Sequence, residues 1–340
     1  MRKICCILFF ILLRTAASAQ LPASYAAVDR YVQDFPMQIG SAGDMRVFIN
    51  EMSRVFTNDG EKIRAVYYWI TENISYDCAG YHNNLLVSVQ IDNILRSRKA
   101  VCAGYAALMH FACGVMNIEC RTIEGTAGTH MQNAFIHPDS LKTNHAWNAV
   151  KLNGEWKLID ATWASGYCDR EVTKFTKRRD DACFLMKPAS FIYRHLPDDS
   201  TWQPLKDTVV TKKAFCSQPL VSSGYFDYQI ENAAPFTIDL YKKIGDTIRF
   251  QFCTRHSLDK ILIFSEEKPG VHVSGSLLKS QDCYYYEYAV RHAGQYDLNI
   301  GFSGGSAGNQ DNENSPHFYS SALTYRLKVK PLKPALHKVR

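Results

Sequence analysis

The dipeptide Asn153-Gly154 sits between two stretches rich in strand-forming residues, 145–152 and 155–162. Asn-Gly is the strongest short signal for a two-residue turn, so the two stretches are predicted to fold back as an antiparallel hairpin. The turn also sets the register. With Leu152 opposite Glu155, pairing runs back until His145 faces Thr162, and Asp160 falls on the face of His145, diagonally across from it. A slip of one residue would place the two on opposite faces. Held this way, Asp160 is expected to accept the Nδ1–H of His145 and to leave the other ring nitrogen for a nucleophile.

Cys102 is the candidate nucleophile. It opens a run in which Cys102, Tyr105, Ala106, Met109 and Cys113 recur at helical spacing, so its sulfur is predicted to lie at a helix N-terminus. The helix dipole and unpaired backbone N–H groups favour the thiolate there and can also stabilise an oxyanion formed from an attacked carbonyl. Cys102, His145 and Asp160 together supply a thiol, a base and an orienting carboxylate, the parts of a thiol acyl-transfer site. Trp147, Trp163 and Tyr105 are further candidates, for the walls of a substrate cleft.

Two more stretches accompany these. Glu61-Lys-Ile-Arg-Ala-Val-Tyr-Tyr-Trp-Ile70 reads as a helix followed by Asn73-Ile-Ser-Tyr-Asp77, and Phe191-Ile-Tyr-Arg-His-Leu-Pro-Asp-Asp-Ser-Thr-Trp-Gln203 lies downstream. With the contexts of Cys102, His145 and Asp160, in that chain order, they resemble the transglutaminase-like superfamily over about residues 45–205. The closing segment is most similar to its kyphoscoliosis-peptidase branch. The resemblance implies a papain-like α+β core with the nucleophile helix packed on an antiparallel sheet, catalysis by Cys102, His145 and Asp160, a peptide or protein substrate, and no cofactor.

Residues 1–19 are predicted to be a signal peptide. Arg2 and Lys3 precede an apolar run from Ile4 to Leu13, and Ala17-Ser18-Ala19 offers a cleavage site before Gln20. A secreted or periplasmic location follows as an expectation, and no stretch is long and apolar enough for a transmembrane helix. Export means an oxidising compartment, in which cysteines pair. Of eleven Cys, Cys5 and Cys6 leave with the leader and nine remain. Cys168 with Cys183, flanking a short polar loop, is the most plausible local pair, and Cys253 with Cys283 comes next. Among these residues there is no Cys-x-x-Cys or His-x-x-x-His pairing at ligand spacing, so no metal site is expected.

The formal net charge of +6 carries little functional meaning. Loss of Arg2, Lys3 and Arg14 leaves +3, and six Lys/Arg without an acid lie between Arg326 and Arg340. The body is nearly neutral, and no nucleic-acid motif accompanies the basic tail.

Short amphipathic helices are expected at 25–34, with Val28, Tyr31 and Val32 inward, and at 45–56, with Val47, Phe48, Met52 and Val55 inward. Helices at 61–72 and about 85–97 follow, then a strand from Ile118 to Ile123 and a loop from Gly125 to Asn144 carrying His130 and His137 as bystanders. The core is expected to occupy 20–205 and a linker 206–219. Residues 220–332 hold seven short β-forming stretches between turns, which suggests an immunoglobulin-like β-sandwich suited to holding a protein or cell-surface partner; a mobile Gly301–Ser315 insert and the basic tail 333–340 complete the chain.

Function therefore divides four ways. A peptidase or amidase working through a thioester is the first expectation. A protein-crosslinking enzyme would share the triad, but the crosslinking enzymes of animals use calcium, and no acidic loop here has calcium-ligand spacing. A catalytically inactive scaffold would suit the sandwich and leave the triad without a purpose. A cell-wall thiol peptidase would share the order of nucleophile and base, but Lys157-Leu-Ile-Asp-Ala-Thr-Trp163 matches the transglutaminase-like pattern better.

Overall fold

The computed structural model describes residues 23–83, 89–128, 138–169, 171–203, 205, 208–303 and 320–331. The expected leader, His130 and His137, most of the Gly301–Ser315 insert and the basic tail lie outside the described residues. Three helices come first: α1 (Ala23–Gln33), α2 (Ala42–Val55) and α3 (Asp59–Asn73). Ser41 caps α2 by accepting from the Asp44 N–H, and Asn58 caps α3 by accepting from that of Gly60. The inward stripe of α2 is Met45, Phe48, Ile49 and Met52, the i, i+3, i+4, i+7 pattern of a helix face. Val47 and Val55, expected inside, are 51% and 45% exposed because they fall off that stripe, and Tyr31 on α1 is 40% exposed.

A short parallel pair, β1 (Ser75–Tyr76) with β2 (Lys99–Ala100), brackets α4 (Cys78–Asn83) and α5 (Ile91–Ser97) and delivers the chain to α6 (Cys102–Val115). Then come β3 (Cys120–Ala127), β4 (His145–Leu152), β5 (Glu155–Ile159), α7 (Ala161–Ser165), the hairpin β6 (Gly166–Cys168) with β7 (Phe175–Lys177), α8 (Pro188–Phe191) and β8 (His195–Pro197). The sheet runs β5-β4-β3-β8, antiparallel throughout. Helices α1, α2, α3, α5 and α6 share one apolar core with Cys120, Val150 and Ile159 of this sheet.

The hairpin turns at Asn153 (φ 52°) and Gly154 (φ 81°), both in the left-handed region, and Leu152 pairs with Glu155. The register holds through Asn148–Ile159 and then stops. Asp160 leaves the strand to cap α7, so the expected pairing of His145 with Thr162 does not form. Strand β3 in turn runs on to Ala127, into the expected loop. Its last residues, Gly125 to Ala127, pair with 195–197 of β8, a partner too far along the chain for local pattern to reveal.

The expected linker contains α9 (Lys212–Ser217), whose Phe215 is buried with Leu141, Ile192 and Leu196. Strand β9 (Leu220–Val221) and α10 (Ser223–Asp227) follow. The remaining strands are β10 (Asn232–Ala234), β11 (Asp239–Lys243), β12 (Thr247–Cys253), β13 (Lys260–Phe264), β14 (His272–Ser276), β15 (Leu278–Ser280), β16 (Cys283–Ala289), β17 (Gly294–Ser303) and β18 (Ser320–Lys330). They form two sheets, β10-β12-β16-β15 and β11-β18-β17-β13-β14, with β9 also on β18. Phe250 and Phe252 of one sheet meet Tyr325 and Phe302 of the other at ring separations of 5.3 and 4.7 Å, so this second core is a β-sandwich interior. The chain is α+β, a papain-like helix-on-sheet core followed by a β-sandwich.

Cys253 and Cys283 face each other across β12 and β16 and are disulfide-bonded. Cys168 and Cys183 are not bonded to each other. Cys183 is buried beneath α7, while the Cys168 sulfur lies 3.8 Å from that of Cys78; the loop between Cys168 and Cys183 folds as the β6–β7 hairpin and turns Cys168 toward α4.

Candidate active site

Cys102 is the first residue of α6. Val101 at the N-cap provides no side-chain cap, so the positive end of a 14-residue helix dipole lies at the nucleophile, where it favours the thiolate. The parallel β1–β2 pair positions this start, and Gly104 lets α6 approach it closely: a Cβ there would lie 2.8 Å from the Ala100 Cβ. On the sheet side, the buried Asn148 of β4 donates from Nδ2 to the Ala106 carbonyl at 3.0 Å, tying the nucleophile helix to the strand that carries His145. Nothing in the sequence marked Asn148 except its place two residues after Ala146 in the inward half of β4.

His145 opens β4 and is 9% exposed, and Asp160 is fully buried. The His145 Nε2 lies 2.7 Å from Asp160 Oδ2, so the carboxylate takes Nε2 rather than the expected Nδ1. Cys102 feels the same imidazole electrostatically, and each shifts the other toward its charged form. Asp160 reaches this position by another route than strand pairing. As the N-cap of α7 it accepts the Thr162 and Trp163 N–H groups on Oδ1, at 2.9 and 3.0 Å, which orients Oδ2 toward the imidazole.

A second imidazole completes the cluster. His195 of β8, 1% exposed, places its Nε2 2.9 Å from the same Asp160 Oδ2. Its ring stacks on Phe191 at 3.9 Å and lies 4.5 Å from Trp163, while its Nδ1 is buried with no hydrogen-bond partner among the described residues. The segment 191–203 was legible as a motif, but the role of His195 was not. It depends on the β3–β8 pairing, which no local pattern specifies. The ligand-type atoms of His145, Asp160 and His195 lie within 4.8 Å of one another; at 2.7 and 2.9 Å from the carboxylate, the two imidazoles have hydrogen-bond spacing.

The electrostatics follow from this geometry. Burial disfavours the His145 imidazolium, but the Asp160 charge and hydrogen bond, with Cys102, outweigh it and raise the imidazole to about 10. Burial likewise opposes the Asp160 charge, yet the two histidines hold the carboxyl well below the usual carboxylate range. The Cys102 thiol is pushed up by burial and pulled further down by His145 and the Ala146 N–H, for a net lowering. Desolvation dominates at His195 and lowers it to about 4 despite Asp160, so that ring is neutral at neutral pH. A lowered thiol beside a raised imidazole is the combination that sustains a thiolate–imidazolium pair, and a thiolate at a helix N-terminus is a nucleophile.

Of the three proposed cleft residues, Trp163 fits best. It is half-buried, covers the two imidazoles and lies under the Arg194 guanidinium at 4.5 Å. Trp147 is 2% exposed, packed with Phe191, Ile123 and Leu158 on the far side of His145, and Tyr105 is fully buried. The Tyr105 hydroxyl donates to the Ile74 carbonyl at 2.8 Å and contacts Ser165 Oγ, bolting α6 to α3 and α7. Both are supports of the site rather than walls of a cleft. Arg64 does similar work: buried in α3, it pairs with Asp29 of α1 and with Asp181, in the turn whose Cys183 carbonyl receives the Asp160 N–H.

Residues 47–161 match the family model described as the transglutaminase-like superfamily. Kyphoscoliosis peptidase of Homo sapiens is 34% identical over 175 residues, 51% of this chain and 26% of that protein. Hillarin of Drosophila melanogaster is 26% identical over 187 residues, 52% of this chain and 22% of that one. A solved TGase crystal structure is 17% identical with a TM-score of 0.25, covering 41% of this chain and 32% of the other. The match spans about a quarter of the length of the curated relatives. Over residues 47–161, which contain Cys102, His145 and Asp160, the chain is similar to the transglutaminase-like superfamily, and kyphoscoliosis peptidases are among the proteins it resembles.

Proposed function

We infer that the protein is a cysteine acyl-transfer enzyme acting on peptide or protein amides, most simply a peptidase or amidase. The observation that carries this is the buried His145, hydrogen-bonded to Asp160 and near enough to Cys102 at the start of α6 to lower its thiol. In this reading the Cys102 thiolate attacks the amide carbonyl, with the N-terminal N–H groups of α6 facing the oxyanion. His145 passes its proton to the leaving amine, a thioester forms, and His145 then takes a proton from the acceptor as the thioester breaks. Water as acceptor gives hydrolysis, and a lysine amine gives a crosslink. Export through residues 1–19 belongs to the same proposal, as does a partner-holding role for the sandwich. The peptidase relatives support hydrolysis.

The test is alkylation of the full chain with iodoacetamide across pH. Cys102 is expected to react as a thiolate below the range of an ordinary thiol, and His145→Ala is expected to lose that advantage. If Cys102 reacts no faster than the other accessible thiols, and His145→Ala changes nothing, the chain is a binding scaffold that retains the fold without the chemistry. Incubation with peptide mixtures in the presence of a primary amine then separates the two acceptors: new termini report hydrolysis, and incorporated amine reports transfer.

A further inference from the structure

Two thiols outside the triad lie unusually close. Cys78 begins α4, Cys168 ends β6, and their sulfurs are 3.8 Å apart although 90 residues separate them in the chain. Both are half-buried and open to small reagents, unlike Cys113, Cys120 and Cys183, which are buried. The elements that carry them are short and meet again at a second point, where His82 Nε2 of α4 contacts the Glu171 carbonyl at 2.9 Å just beyond β6. Each element also flanks the candidate site. Cys78 follows β1, which pairs with the residues leading to Cys102, and Asp77 donates its N–H to the Ala100 carbonyl at 2.9 Å. Cys168 follows α7, the helix capped by Asp160.

We propose that Cys78 and Cys168 form a second disulfide, which staples the segment that delivers the nucleophile to the segment that carries the orienting carboxylate. Bonded sulfurs are about 2.04 Å apart, so the pair has roughly 1.8 Å to close. The oxidant is a small-molecule or protein disulfide. One cysteine, as thiolate, attacks it and expels one thiolate; the second cysteine attacks the mixed disulfide and expels the other. The protein's two thiols lose two electrons and two protons, and the oxidant becomes two thiols. The pairing takes neither sulfur from Cys102 and holds independently of the enzymatic reading.

Purified full chain is equilibrated with glutathione disulfide, blocked with iodoacetamide without reduction, and digested for peptide mass mapping. The expected product is a linked peptide pair containing Cys78 and Cys168, beside the Cys253–Cys283 pair as an internal reference, with Cys102 in no cysteine–cysteine link and recovered alkylated or as its glutathione mixed disulfide. Alkyl groups on both Cys78 and Cys168 in a sample whose Cys253–Cys283 bond is intact would overturn the proposal. Cys78→Ser provides the second arm. Cys168 should then be recovered alkylated, and its capture instead by Cys102 or Cys183 would show that closeness to Cys78 does not determine its partner.

Discussion

At the scale of single residues the site is organised around Asp160, which accepts from two backbone N–H groups and two imidazoles while wholly buried. Replacing it with Asn removes the charge that keeps His145 protonated. Turnover of Asp160→Asn on an identified substrate is expected to fall by a factor on the order of 100 to 10,000, and Cys102→Ala should abolish it; equal rates for Cys102→Ala and wild type would reject the roles assigned. The two histidines titrate in opposite senses. His145 is raised to about 10 in the fold, so its contribution to stability is complete below the unfolded value near 6.5 and is lost as pH rises toward 10. His195 is lowered to about 4. Below pH ~6.5 the unfolded chain takes up a proton that the fold refuses, so stability falls as pH drops from ~6.5 toward 4. Between pH ~7.5 and ~4.5 this single group costs about 2 to 3 kcal/mol. His195→Phe should therefore lose less stability over that interval than wild type, by about that amount, as read from urea midpoints; parallel losses would mean that His195 is not held neutral.

At the scale of elements, two glycines separate geometry that serves the turn from geometry that serves the site. Gly154 has φ +81° and open space around its Cβ position, so Gly154→Ala is expected to cost about 1 kcal/mol through backbone strain alone and to leave Cys102 alkylation unchanged. Gly125 sits where β3 meets β8, and a Cβ there would lie 2.2 Å from the Leu196 carbonyl oxygen and 2.7 Å from the Trp147 ring. Gly125→Ala must push β8 and its His195 outward. A loss of about 1 to 3 kcal/mol or more is expected, together with an altered pH profile of Cys102 alkylation, and an unaltered profile would show that β8 does not support the triad.

At the scale of the whole molecule, the helix-and-sheet core and the sandwich have separate apolar interiors, but they are not insulated from each other. Tyr193 packs its ring 5.6 Å from those of Tyr225 and Phe236, and Gln218 donates to the Tyr193 carbonyl. Phe215, in the stretch that reads as a linker, covers Leu141, Ile192 and Leu196. A fragment ending at Ser217 should therefore be more stable than one ending at Leu205, by about 1.5 to 3 kcal/mol for the burial of one large side chain. Equal urea midpoints would make residues 206–217 a linker after all.

What the sequence determined by itself was local or periodic. Asn153-Gly154 specified the hairpin and its register over five pairs, helical spacing placed Cys102 at the start of α6, and alternating β-formers announced the sandwich strands, because turn chemistry and side-chain period act over a few residues. The tertiary structure decided everything that needed two distant segments to meet. Asp160 left the hairpin to cap α7 and met His145 through Nε2. His195 joined it because β8 pairs with β3, and Cys168 turned to Cys78 rather than to Cys183. Trp147 and Tyr105 went inside because the sheet and α6 close over them. Such contacts are chosen by which faces can be buried together, and no window of sequence contains both partners.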